Sequence, residues 1–468
     1  MKAIQTISLF FLWAVLLFSS SCDNVLEPEP VDILTNDIVL NEPRDVGNVE
    51  IGLYSAFRNI IPGAVIAGDF TADMLIHNGT FSQYRELGTK QLSSANASVA
   101  ALWGAIYNTV YIANFILERL PDVPGVPASQ RSQVMGTAHF LRGYAYFVAL
   151  YTFGGVPQVI TTDIETNRNI PRATEAEILD LVIADYAEAL SQVPQESVNA
   201  GFAGKFAVRA ALARLHLYLG NWTEAVQFST EVIDSDKYEL ETDFSSIVNE
   251  DFTEEAILEV GYTLADDPGT SGNFGLNNLF VGRREIIPSN QVVVALASSE
   301  SGDRFSSMTF DLNNLNGTDN GWSVAKYGTA DADNNNVVVF RLAEMYLIRA
   351  EARAQLDNVT GDNSAQTDIN VLRVRANAPV VPSVSKSQML RLIEEERRYE
   401  LAFEGHRWYD LVRTARAAQV MSAFSVNWRS DFEKWPIPQR EIQNNALENI
   451  RVLTFLISEQ IISSVTKC

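Results

Sequence analysis

The sequence predicts a mainly α fold: a superhelical array of paired helices carrying one loop-rich, partly β lobe. Three observations predict it. Apolar residues recur at 3-4 spacing through two long regions, about 99–240 and 340–416. At least one helix in the first region is apolar on two faces, which a helix needs only when it is packed on both sides. Between the two regions, from about 241 to 336, Gly, Asn and Asp are frequent and helical periodicity is mostly absent. Size and composition permit such a fold. The chain has 468 residues, 47% of them apolar and 20% charged, which excludes a disordered or fibrous protein.

The helices follow in order. Val99, Leu102, Trp103, Ile106, Val110, Ala113, Leu117 and Leu120 make one stripe, and a Pro/Gly break at Pro121–Pro127 ends it. From Ser132 to Tyr151 one face carries Val134, Ala138, Leu141, Ala145 and Val148. The other carries Phe140, Tyr144, Phe147 and Tyr151, and Gly154-Gly155 stops the helix. Thr174 with Glu177 is a capping box that opens a helix to about Val193. Phe202–Leu219 is helical again, and Gly220-Asn-Trp-Thr-Glu-Ala225 leads into a helix to about Ile233. A Gly-x-aromatic-x-x-Ala turn between two helices resembles the turn of a tetratricopeptide repeat, where small residues let paired helices cross closely. In the 241–336 stretch, Glu255–Tyr262 is a candidate strand. Helices return at Phe340–Leu356, Thr367–Ala376 and Lys386 to about Arg416, the last opened by a Ser385/Gln388 box.

The N-terminus reads as an address. Lys2 precedes an apolar run, Ile7–Phe18, too short to span a bilayer. Ser19-Ser20-Ser21-Cys22 follows. Residues 1–21 are therefore expected to be a cleaved secretory signal, and the cysteine directly after small residues resembles a bacterial lipobox, with Ser19 in place of the usual Leu or Val. Cys22 is the expected lipidation site and 22–43, acidic and Pro-bearing, the tether. Cys22 and Cys468 are the two cysteines, near opposite ends, which excludes a disulfide scaffold. The net charge of −23 disfavours nucleic acid and leaves neutral ligands unpenalised.

Four segments carry a family resemblance. They are Ala138-His-Phe-Leu-Arg-Gly-Tyr-Ala-Tyr-Phe147 continuing to Phe153-Gly-Gly-Val-Pro157; Arg341-Leu-Ala-Glu-Met-Tyr-Leu-Ile-Arg-Ala-Glu-Ala352; Glu396-Arg-Arg-Tyr-Glu-Leu-Ala-Phe-Glu-Gly-His-Arg-Trp-Tyr-Asp-Leu-Val-Arg413; and Trp435-Pro-Ile-Pro438 with Glu441. In this order, behind a lipoprotein start, they resemble the SusD/RagB family from Cys22 to about Asn449. The resemblance implies a domain over about 44–449 with a tetratricopeptide-like scaffold and a variable ligand-binding lobe. It implies a lipid-anchored outer-membrane protein facing the cell surface. Such a protein would capture an oligosaccharide and hand it to a SusC-type TonB-dependent transporter, without catalysis and without a cofactor. One departure is the apolar tail Ile450–Cys468, which stands where the family has a short ending.

Chemistry-bearing residues have scaffold readings first. Glu394 with Arg398 (i,i+4) and Glu404 with Arg407 (i,i+3) read as ion pairs lacing one helix rather than as glycosidase carboxylates, and Arg341, Glu344 and Glu351 read the same way. His77, His139, His216 and His406 form no zinc motif. The last three sit inside helical segments and are read as packing residues; His77 falls in a loop. Asp331-x-Asp333-x-Asn335 matches the start of a calcium loop, but Asn336 stands at the Gly position and Leu342 at the Glu position, so it reads as a surface loop. No Gly-x-Ser-x-Gly, phosphate-binding loop or Gly-x-Gly-x-x-Gly occurs.

Sugar rings stack their C–H faces on aromatic rings, so loop aromatics are the ligand candidates and helix aromatics are core. The family places its site on loops before the first repeat and in the variable lobe, here about His77–Gln91 and Gly261–Gly328. The expected platforms are Phe81, Tyr84, Phe274, Phe280 and Trp322, with Arg85 as a polar partner. Trp322 leads because Gly321 and an Asn- and Gly-rich loop precede it. Trp103 is excluded by its place on a helix stripe, and Tyr327 resembles scaffold. Three function classes follow: a glycan-capture lipoprotein, the same architecture taking peptides as the RagB branch does, or a glycosidase.

Overall fold

The computed structural model describes residues 40–261, 275–328 and 336–444. Cys22 and the expected signal, Phe274, the Asp331–Asn335 run and the 450–468 tail lie outside them.

The fold is mainly α, and local chemistry sets most helix ends. Asn96 opens Ala97–Arg119, its side chain accepting from the Ser98 N–H at 2.9 Å. Ala128–Phe153 ends at Gly154, whose φ of +80° favours a glycine. Both expected capping boxes form: Thr174/Glu177 opens Glu175–Gln192 and Ser385/Gln388 opens Lys386–Glu400. Gly220, at φ +72°, closes Lys205–Leu219, and Trp222–Ile233 starts two residues later, as the repeat-like turn requires.

The helices stack as successive neighbours. Val46–Arg58 and Ala128–Phe153 both pack on Ala97–Arg119; Glu175–Gln192 packs on Ala128–Phe153 and then on Lys205–Leu219. Trp222–Ile233 bridges Lys205–Leu219 to Leu342–Gln355, which in turn receives Ala365–Arg375 and Lys386–Glu400. Phe140, Tyr144, Tyr146 and Phe147 are all buried, so the helix apolar on two faces is indeed covered on both. Ala97–Asp122 is apolar enough to cross a membrane by composition, but it lies largely inside the core. Trp103 is 6% exposed, its ring edge-on to Phe153 at 5.2 Å.

The 241–336 stretch is less irregular than its composition suggests. Six short strands are described in the chain: β1 (Leu75–His77), β2 (Ala256–Val260), β3 (Ile286–Pro288), β4 (Met308–Asn316), β5 (Asp319–Val324) and β6 (Val337–Arg341). They form three antiparallel pairs, β1–β3, β2–β6 and β4–β5. The expected strand within 255–262 is β2. The stretch also holds the helices Phe244–Asn249 and Asn290–Leu296.

One expected helix is broken. Lys386–Arg416 is not continuous: Lys386–Glu400 is followed by a tight turn, then Arg407–Arg413, then Ala417–Phe424. Phe403 and Gly405 take φ of +68° and +84°, outside the helical region. A tertiary contact holds the turn. The Asp69 carboxylate accepts from the backbone N–H groups of Gly405 (2.8 Å) and Arg407 (3.1 Å), and Gly68 packs against the Gly405 carbonyl.

The ion pairs are correspondingly tertiary, which corrects the i,i+3 and i,i+4 reading. Glu404 pairs with Arg341 (2.9 Å) and Lys326, not with Arg407. Arg398 reaches Asp73 (3.5 Å) and Glu395 (3.6 Å) rather than Glu394. Arg341 also holds Glu255 and Glu400, Arg375 holds the same two, Arg214 holds Glu344 and Arg413 holds Glu351. Charges taken out of water are tolerated only when so paired. Burial by itself would raise the Glu404 carboxyl, but Arg341 and Lys326 outweigh it and hold it at about 2. These carboxylates are scaffold, as expected, though through partners remote in sequence.

Candidate functional site

The two expected binding regions meet. β1 pairs with β3 in the register Leu75↔Pro288 and His77↔Ile286, which carries the loop after His77 onto the lobe. The Asn78 N–H donates to the Glu285 carbonyl at 2.9 Å. The Glu285 carboxylate then accepts from the N–H groups of Thr80 (2.7 Å) and Phe81 (2.9 Å), fixing the loop. Asn78 donates its amide to Asp319 and to the Arg284 carbonyl, both at 2.9 Å. Arg284 grips Asp319 (Nε to Oδ2, 2.8 Å) and donates to the Trp322 carbonyl at 3.0 Å. This guanidinium holds the Asp319 carboxyl below the usual carboxylate range against the opposing effect of burial. The hairpin β4–β5 is thereby tied to β1 and β3.

The hairpin presents a cluster of rings. Phe310 and Trp322 are register partners on β4 and β5, their ring centroids 5.0 Å apart. Phe305 also meets Trp322, at 5.3 Å, edge to face. Phe310 is 48% exposed and Phe305 38%, while Trp322, in contact with both, is half-buried. Gly321, at φ +79°, is required here: a Cβ would stand 2.5 Å from the Phe310 ring. Asp311 and Asn313 are exposed on β4, the strand that carries Phe310, and Asn320 is anchored to the Pro288 carbonyl at 2.9 Å. Rings with amide and carboxylate neighbours form a surface that can stack a sugar face and bond its hydroxyls.

The other expected residues are placed differently. Trp322 is on a strand, not in a loop. Phe81 is half-buried, with the Arg283 guanidinium 4.3 Å over its ring and Tyr84 at 6.3 Å. Tyr84 is only 5% exposed and forms part of the wall of a separate cleft of about 400 Å³, with Arg58, Gln83, Ser98, Leu279 and Trp435. Arg85 is exposed on the helix Ser82–Thr89. Phe280 is corrected: it is wholly buried and stacked on Tyr327 at 5.7 Å, so it presents no face to a ligand. Tyr327 is scaffold, its hydroxyl donating to the Phe403 carbonyl. Phe305 and Phe310 were missed by the sequence reading. The signal for Phe310 was present, since Asn316-Gly317 between apolar-bearing flanks is a hairpin signature.

The histidines add no catalytic grouping. His77 lies on β1, 4.0 Å from Glu285. His139 bonds Asp185 at 2.8 Å, His216 stacks on Phe228, and burial pushes the His406 imidazole down to about 4. Among the described residues no group of three or more His, Cys, Asp or Glu is arranged to hold a metal.

Comparison with known proteins places the chain. The pattern of the SusD family matches residues 305–451, and that of "Starch-binding associating with outer membrane" matches 40–219. A SusD-like protein of Formosa agariphila, P38, is 26% identical over 95% of this chain and 98% of its own length. The starch-binding protein SusD of Bacteroides thetaiotaomicron is 33% identical, over 28% of this chain and 26% of its own. Among solved structures, a laminarin-binding SusD-like protein superposes with a TM-score of 0.75 at 24% identity, covering 86% of this chain and 98% of that one. A SusD superfamily protein from Bacteroides vulgatus superposes at 0.76 and 20% identity, covering 87% and 98%. The family segments read in the sequence fall within or beside the matched regions, and the superposed structures share the helical fold described above. This chain belongs to the SusD family.

Proposed function

We propose that the protein is a glycan-binding protein of the outer membrane, in keeping with the starch- and laminarin-binding relatives, and that the exposed Phe305–Trp322–Phe310 cluster is its sugar platform. The cluster carries the reading. Three contacting rings left partly in solvent, on a hairpin fixed by Asn78, Arg284 and Asp319, make a rigid apolar face with polar neighbours. Rigidity matters because ordering a mobile loop on binding would cost affinity. In this reading Cys22 is acylated, the domain stands on the cell surface, and the captured oligosaccharide passes to a SusC-type TonB-dependent transporter that this chain caps.

The protein acts here by binding and not by catalysis. Most of its deeply buried carboxylates are held by arginines or backbone amides, which supports a structural role for them. A glycan array probed with the soluble domain, followed by titration of the best hit, tests the binding. Saturable binding of an oligosaccharide is expected. Binding of oligopeptides with no glycan bound overturns the sugar assignment in favour of a RagB-like peptide carrier. Mild-detergent extraction tests the transport role: a large barrel protein should co-purify.

A further inference from the structure

A second cleft, of about 450 Å³, opens where the Gly220 turn faces the helices Leu342–Gln355, Lys386–Glu400 and Arg407–Arg413. None of its lining residues comes from the ring cluster or from the loop after His77. Its charged wall consists of four arginines, 391, 397, 413 and 416, against the three carboxylates Glu351, Glu394 and Asp410. All three carboxylates are already engaged. Arg413 bonds Glu351 at 2.6 and 2.7 Å and Asp410 at 2.9 Å, and Arg407 reaches Glu394 at 3.4 Å.

The arginines are not all engaged. Arg397 is 2% exposed and donates its Nε to Asp410 at 2.8 Å, yet both its Nη1 and Nη2 are buried without a hydrogen-bond partner. The Nε of Arg416 is buried and unpartnered as well, and its Nη1 stands 3.8 Å from Glu394, beyond hydrogen-bond distance. Arg391 is exposed at the rim. Buried N–H groups of a guanidinium are costly when left without acceptors, and folded proteins supply partners for nearly all of them. The cleft has room for such a partner. A guanidinium fork selects a planar or tetrahedral oxyanion with two oxygens to offer.

We propose that this cleft binds a small oxyanion, a carboxylate or sulfate group, between Arg397, Arg416 and Arg391. The net charge of the whole chain, −23, makes the surplus of arginine in this wall a local feature and not a reflection of composition. The site is independent of the glycan reading, because no residue is shared with the ring platform.

The test uses the full-length protein with sodium sulfate and sodium glucuronate, against sodium chloride at matched ionic strength, by thermal melting and isothermal titration. A ligand that binds only the folded state raises the melting temperature saturably. Both oxyanions are expected to do so and to compete with each other, and Arg416→Gln should weaken both at least tenfold. Arg397→Lys should abolish the effect if that variant folds; Arg416 is the less buried of the two, so its variant keeps the test decisive. Tighter binding of glucuronate assigns the group to an acidic sugar, and tighter binding of sulfate to a sulfate ester or the free ion. Trp322→Ala should leave this binding unchanged. Melting curves in sulfate and glucuronate that track chloride overturn the proposal, as does binding indifferent to both arginine variants.

Discussion

Replacing Trp322 by alanine separates the platform from the scaffold. Trp322 touches two rings, Phe305 at 5.3 Å and Phe310 at 5.0 Å, and is half-buried on β5. Aromatic pairs are worth about 0.5–1.5 kcal/mol each beyond area. The truncation should therefore cost about 1–3 kcal/mol of stability from the two ring contacts, more than a loop tryptophan would. Trp103, 6% exposed and edge-on to Phe153, is a core side chain, and Trp103→Ala should cost about 3–5 kcal/mol. Binding should reverse the order. Losing a stacking platform costs about 1–3 kcal/mol by analogy with planar ligands, roughly tenfold to a hundredfold in affinity. Trp103→Ala, measured well below its melting point, should bind the glycan as the wild type does. Denaturant curves and isothermal titration on both variants give the four numbers. Normal glycan binding by Trp322→Ala would falsify the platform assignment and move the site towards Phe81 and the cleft beside Tyr84.

Further predictions test the scaffold, the anchor and the ligand class. Gly68→Ala places a Cβ 1.9 Å from the Gly405 carbonyl oxygen, backbone against backbone, so a loss of at least about 3 kcal/mol is expected; a variant melting within a few degrees of the wild type would refute that packing. The Glu404 carboxyl is held at about 2, below its ordinary 4.5, so its contribution is present above pH 4.5 and is lost as pH falls towards 2. The stability gap between wild type and Glu404→Gln, on the order of 3 kcal/mol at neutral pH, should close on acidification; a gap constant down to pH 2 contradicts the ion-pair account. Cys22→Ala should release the protein from the membrane fraction, and unchanged retention counts against acylation. At the ring platform Asp319 is neutralised by Arg284 while Asp311 is exposed, so neutral oligosaccharides should bind there in preference to sulfated ones; a sulfated glycan winning at that site reverses the reading.

How far the fold was legible depended on the range of the interactions that make it. The helices were readable because stripe, cap and stop lie within a few residues of each other: Thr174 with Glu177, Gly154 at the end of its helix, Gly220 before Trp222. The break at 401–406 was not, because its cause is Asp69, more than three hundred positions earlier, reaching the Gly405 and Arg407 amides. With the helix broken, Glu404 no longer sits on the face that its spacing to Arg407 implies, and Arg341 takes it instead. β2 was read as a strand, but its partner β6 was out of reach of any local pattern.

The candidate site divides along the same line. Phe280 stands among Asn277, Asn278 and glycines, a composition that reads as solvent-exposed, yet both asparagines are fully buried and Asn277 donates its amide to the Tyr327 carbonyl at 2.8 Å. Buried asparagines, one of them bonded to a backbone carbonyl inside the protein, disguise a core position as a loop. Trp322 was recognised for a local reason, the preceding Gly321. Its partner Phe310 became significant only through the register of β4 against β5, and the hairpin acquires a fixed direction only through Asn78 and Arg284. The same division explains why one chain can offer an uncharged ring platform at one place and guanidinium N–H groups without partners at another. The buried acids of the family segments are consumed by inward pairs, so binding chemistry is left to the groups those pairs do not use: the rings of the hairpin, the Nη groups of Arg397 and the Nε of Arg416 beside the Gly220 turn.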